Sequence, residues 1–230
     1  MKLLVELLPD INGGNISVLD LGAGFGAVTE QILAHYPRAK VTCVDGSEAM
    51  VRHAAERMRK YGERVKILKS DLADRSWWRV LEPSTPIHAA TNKVGGHTLN
   101  AVVSAIAIHH LSNERKRELY RELLEVLAPN GIFLNNDVVA TPPALKARFE
   151  RLNLASIQDQ ERPQRRIVRP LDQIEAEMRE QLRMAGERHQ SHIAPLSDQL
   201  GWLREAGFKS VDCYWRYLDL AIFGGVKEAY

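Results

Sequence analysis

Apolar and polar positions switch between two periods along most of the chain. Ile16 to Leu21 is a short apolar run that predicts a buried strand, and Ala27 to His35 has helical spacing closed by Pro37. Lys40 to Val44 (KVTCV) is a second β-rich run. Ser47 to Tyr61 predicts a helix with Ser47 as its cap, three residues before Met50. Val65 to Leu68 predicts a third strand and Asn100 to Ala105 a fourth. An amphipathic helix follows at Asn113 to Leu127, then a fifth strand at Gly131 to Asn135, with "APNG" at 128–131 as the turn between them. Strand and helix alternating with short connections predict an α/β fold whose parallel sheet is covered on both faces.

Two regions break the rhythm. Residues 75–99 form a polar connection much longer than ordinary loops. Residues 141–195 are rich in Arg, Glu and Gln, carry no strand signal, and read as a helical cap inside a single domain of residues 1–230. Residues 196–208 then give a helix with a glycine stop, and the remainder gives two β-runs around a turn.

The densest local signal is "SVLDLGAGFGAVTEQIL", residues 17–33, where an apolar strand and an acid precede glycines at 22, 24 and 26. Counted from Gly22, with Ala27 in the last slot, it satisfies G-x-G-x-x-G/A, the dinucleotide fingerprint. Such a turn lets a ligand lie against bare backbone and points the amides of the next helix at it. Asp20, two places before the first glycine, argues against a pyrophosphate, which it would repel. A ligand carrying an ammonium group suits it better.

The stretch resembles the first motif of class I S-adenosylmethionine-dependent methyltransferases, an apolar strand and an acid followed by G-x-G-x-G. Further motifs follow in the family's order: "VTCVDGSEAM", "SDLAD", "NAVVSAIAIHHL", "LLEVLAPNGIFLNND" and the closing "LREAGFKSVDCYWRYLDLAIFGGVK". The resemblance covers residues 16–140 and 196–227. It implies a Rossmann-like, doubly wound, mostly parallel seven-stranded sheet ending in an antiparallel hairpin, with the cap inserted before the last helix. It also implies S-adenosyl-L-methionine as cofactor, held by Asp20, Gly22, Ala23, Gly24, Asp45, Gly46, Met50, Asp71, Leu72, Ser104 and Ala105. Within that set Asp45 takes the ribose hydroxyls, while Asp71 and Leu72 take the adenine. The acceptor pocket falls to His109, His192, Tyr214 and Arg216. Asn100 and Asn130 depart from the family's usual Asp and Gly, and the 75–99 stretch has no counterpart. The sequence begins a few residues before the first strand, so the lid is expected either from 141–195 or from a segment trimmed from the start.

Composition narrows the partners. A 230-residue chain that is 45% hydrophobic and 26% charged, with net charge +2, is ordinary for a soluble globular protein and gives no reason to expect nucleic acid. The start lacks a signal peptide's pattern, and no stretch reaches the ~20 apolar residues of a membrane span. Cys43 and Cys213 form no pairing motif, which fits a reducing cytoplasm. Adjacent His109 and His110 face different ways, and His189 and His192 lack a third ligand, so no metal is expected. Arginines 162, 165, 166 and 169 are either a solvated face or a grip on an anionic substrate. The expected reaction moves a methyl group to a small-molecule acceptor by in-line displacement. That chemistry demands no dedicated base, although His109 is placed for one if the acceptor is a hydroxyl. A non-catalytic cofactor-binding protein, a tRNA-modifying relative and, with least support, a nicotinamide oxidoreductase remain the alternatives. A homo-oligomer is compatible with the sequence.

Overall fold

The computed structural model describes residues 2–9, 13–81, 99–161, 170–185 and 192–229. Five strands, β1 (Ser17–Leu21), β2 (Lys40–Asp45), β3 (Val65–Lys69), β4 (Leu99–Ala105) and β5 (Leu127–Val138), run parallel. The hairpin β6 (Lys209–Tyr217) and β7 (Leu220–Val226) completes a seven-stranded sheet of order β3-β2-β1-β4-β5-β7-β6, with β7 antiparallel to both neighbours. The order reverses at β1, so β1 and β4 flank the crevice where open α/β sheets bind ligands.

Two apolar layers enclose the sheet, as its near-continuous apolar strands require. On one face Val18, Val41, Cys43, Val103 and Leu134 pack under α1 (Lys2–Glu6), α2 (Ala27–His35) and the end of α3 (Glu48–Met58). On the other, Leu19, Leu21, Val102 and Phe133 meet Leu119, Tyr120 and Leu123 of α4 (Asn113–Val126), with Trp202 and Leu203 of α7 (Leu196–Ala206). Ser47 caps α3, its hydroxyl accepting from Met50 N, and Ser112 caps α4 in the same way.

Three expectations change. The helix drawn from Ser47 to Tyr61 is α-helical only to Met58 and tightens into 3-10 turns over Arg59–Arg64. "APNG" is not a turn outside the sheet: β5 begins at Leu127, where it pairs with Leu99. The strand bulges at Asn130 (φ 62°), and its register shifts before Ile132 meets Ala101. That bulge is held by the hairpin end, since Asn130 N donates to Lys227 O and Lys227 N to Gly131 O. Within the long 75–99 connection, Trp77–Leu81 is a 3-10 turn with Trp77 wholly buried and its indole donating to Glu122.

Residues 141–195 contribute α5 (Lys146–Glu161) and α6 (Leu171–Ala185). Asn153 of α5 donates to Asp219 in the hairpin turn, and Ile174 of α6 is buried. The four arginines at 162–169 and His189 lie outside the described residues. No described helix is long and apolar enough to cross a membrane.

Candidate active site

The glycine turn is shaped by backbone that only glycine tolerates comfortably. Gly22 has φ +63°, and a Cβ there would stand 2.3 Å from the Ala107 side chain. Gly24 has φ +54° with nothing within 4 Å of an added Cβ, so its backbone faces open space. Gly22 N and Ala23 N both donate to Val44 O, which pins the turn to the end of β2.

Asp45, the last residue of β2, completes this corner. One carboxylate oxygen accepts Gly24 N and the other accepts Ser47 N, each at 2.8 Å. A carboxylate oxygen carries two lone pairs, so both retain one for a further donor. A pair of adjacent hydroxyls is such a donor set. The Gly46 backbone packs against Asp71, bringing the ends of β2 and β3 together. Asp71 is exposed and accepts Ala73 N in its own turn, whereas the neighbouring Leu72 is buried and its carbonyl accepts from the Arg115 guanidinium. Phe25 and Met50 stand exposed on the rim of this corner.

Asp20 occupies different surroundings from those its sequence position suggests. It points to the α2 side of the sheet, is 1% exposed, and accepts a 2.6 Å hydrogen bond from Thr29 Oγ1. Burial pushes its pKa up to about 7, with Asp45 adding to the rise and Thr29 opposing it. Burial also pushes the nearby Cys43 thiol up to about 12.

Across the crevice, Ser104 is buried and donates to Leu21 O, tying β4 to β1; Ala105 follows it at the half-buried strand end. The short turn Ile108–His110 then presents His109 to β5. His109 Nδ1 lies 2.6 Å from Asp137 Oδ1, and His109 N donates to Asp137 Oδ2. A carboxylate only accepts, so the proton in the first bond sits on Nδ1, and Nε2 is left as an acceptor in the neutral ring. Both residues are buried, and the His110 ring lies 4.0 Å from that of His109.

The anticipated residues thus gather unequally. Gly22, Ala23, Gly24, Asp45, Gly46 and Asp71 share one corner. His109 and His192 meet through the backbone, His192 N donating to His109 O. Tyr214 and Arg216 lie on β6, two strands from β5, and bond locally to Ser210 O and Leu218 O. Asp137 was missed. Its signal was the face that alternation along β5 gives it, shared with Phe133.

This strand order, with a glycine turn after β1 and an acid ending β2, is the class I methyltransferase fold. Residues 18–131 match the protein-family model described as Methyltransferase domain, and the sheet around that match has the order of the class I methyltransferase fold. Among curated proteins it is 20% identical over 229 residues to the carboxy-S-adenosyl-L-methionine synthase of Nautilia profundicola, covering 99% of this chain and 84% of that one. Many solved structures share the fold, two of them as follows. One is the S-adenosylmethionine-dependent methyltransferase SibL in its apo form (19% identity, TM-score 0.60, 99% of this chain). The other is an O-methyltransferase family protein from Burkholderia thailandensis (16% identity, TM-score 0.63, 99% of this chain). The chain spans only 55% and 56% of those two proteins' lengths.

Proposed function

We propose that the protein is an S-adenosylmethionine-dependent methyltransferase acting on a small-molecule acceptor. The observation that carries this reading is the Asp45 carboxylate, fixed by the amides of Gly24 and Ser47 with a lone pair spare on each oxygen, beside backbone that opens on empty space at Gly24. Asp45 would hold the ribose hydroxyls, Gly22 to Gly24 the amino-acid portion, and Met50, Asp71 and Leu72 the adenine. Asp20 lies behind the turn, where an ionised carboxylate would favour a cationic ligand. When bound, the cofactor supplies a methyl group already activated on sulfonium, so the chain's work is orientation and exclusion of water.

His109 gives the site more than a binding role. Asp137 fixes its ring, and Nε2 is the atom that would take the proton from a hydroxyl acceptor. That arrangement supports an enzyme over a non-catalytic cofactor-binding protein. Residues 141–195 would cover the acceptor, because they leave and rejoin the sheet at its carboxyl end.

Calorimetry tests the reading directly. S-adenosylhomocysteine is expected to bind at micromolar strength and NAD not at all. Binding of NAD with no response to S-adenosylhomocysteine overturns it.

A further inference from the structure

The segment that rejoins the sheet after α6 is fastened by its backbone. His192 N donates to His109 O at 2.7 Å, and Ala194 O accepts Ala140 N at 2.9 Å, just beyond β5. The carbonyl of His192 accepts a third bond, from Lys116 Nζ of α4. Both backbone polar groups of His192 are therefore engaged, its N–H by the loop that carries His109 and its carbonyl by a lysine. The side chain of His192 is exposed, so the peptide group makes the connection.

Lys116 is an odd residue for its place. It is fully buried, on the helix face that also buries Leu119, Tyr120 and Leu123. An ammonium taken out of water is costly unless it is paired and hydrogen-bonded. Its ligands are the His192 carbonyl and Asn113 Oδ1 at 3.3 Å, and Asp137 supplies the nearby negative charge. Burial draws its pKa below the usual lysine value, and Asp137 opposes that change. Among the described residues, the other titratable groups around the cluster include Glu114 and Tyr120 of α4, His109 and His110 of the short turn, and His192 of the returning segment.

We propose that Lys116 is a positioning residue: its buried ammonium clamps residues 192–195 onto the His109 turn, so that the cap and the His109–Asp137 pair are held in one register. The clamp stands on contacts alone; only its catalytic consequence rests on the function proposed above.

Amide hydrogen exchange on the full chain tests it. In the wild type, the His192 amide is expected to be as protected as the β5 amides; exchange at the rate of a free peptide overturns the proposal without any variant. Lys116→Met keeps the length and apolar stem but removes the donor and charge. It is expected to speed exchange at least tenfold in 192–195 and in the His109 turn, leaving β1 to β3 unchanged. Lys116→Arg, which retains a cation and donors, is expected to recover most of that protection. Unchanged exchange at His192 in the Met variant overturns the clamp. So does equal acceleration across the whole sheet, which marks Lys116 as a general stabiliser. With an acceptor in hand, Lys116→Met should raise the acceptor KM or lower kcat while S-adenosylhomocysteine affinity stays constant. Failure of wild-type S-adenosylhomocysteine binding would sink the proposed function and leave the exchange results intact.

Discussion

Asp45 and Asp137 are the same residue type at the carboxyl ends of two strands of one sheet, yet they are put to different uses. Asp45 is half-buried and accepts two backbone amides, one on each oxygen, which leaves each oxygen a lone pair to spare. Asp137 is 1% exposed, and its oxygens accept from the ring and backbone of His109 and from Val138 N. One half of the crevice keeps acceptor capacity at its acid; the other turns its acid onto a histidine. The partner supplied by the neighbouring loop makes the difference, a bare glycine turn beside β2 and a histidine-bearing turn beside β5.

The sharpest way to separate the halves is to remove His109, the proposed base. His109→Ala is expected to lower the transfer rate to a hydroxyl acceptor by roughly 10²–10⁴-fold, the usual range for a lost general base, with S-adenosylhomocysteine affinity unchanged in calorimetry. Asp137→Asn should fall between that variant and wild type. An acceptor whose rate ignores both changes would reduce the acceptor half to a shaped wall.

Asp20 gives the next effect, read in stability against pH. It titrates at about 7 in the folded protein against 3.8 in an exposed chain. Below about pH 4 it is neutral in both states. As pH rises from 4 to 7 the unfolded chain ionises first, so stability falls, and the loss is complete above 7. Asp20→Asn removes this dependence and should be more stable than wild type at pH 8, by up to about 4 kcal/mol. Chemical denaturation at pH 5 and pH 8 measures it; a variant with the wild-type slope between them rules out an ionisable Asp20 as the cause.

Gly22→Ala probes where the halves touch. Overlap with Ala107 is expected to cost about 1–3 kcal/mol, and the positive φ about 1 more. Gly24→Ala should show only the φ cost, since it meets open space. Equal losses in thermal melts would mean that the approach to Ala107 is unimportant. Asp45→Ala should leave the fold intact and weaken S-adenosylhomocysteine by about 1.5–3 kcal/mol, the worth of hydrogen bonds to a charged acceptor. A variant with unchanged affinity would take the ribose away from Asp45.

The corner proposed for the cofactor was legible as a shape because its residues are local in sequence. Gly22, Gly24 and Asp45 each sit in a strand-to-helix turn where backbone conformation dictates residue type, and Ser47 declares itself as a cap. The half proposed for the acceptor was legible only as the motif around His109. Asp137 sits within "FLNNDVV", which a strand tolerates without comment, and its role appears only once β5 is set beside the His109 turn, 28 positions back in the chain. Lys116 was hidden for the opposite reason. On a charged amphipathic helix a lysine reads as solvated surface, although its spacing to Tyr120 puts it on the buried stripe. The β5 bulge was missed because Asn130 looks like a turn residue, and the pairing with Lys227 that keeps it in the sheet is nearly a hundred residues away.

The near-contact between Gly22 and Ala107 also bears on heredity. The two halves of the crevice are separated there by one methyl group, so positions 22 and 107 cannot vary independently. Descendants that enlarge residue 107 keep their fold only while 22 stays glycine. Those that acquire a side chain at 22 recover part of the lost stability with glycine at 107, the positive φ at 22 remaining unfavourable. Lineages of this chain should therefore carry the two positions as a linked pair, inherited together even where the acceptor has changed.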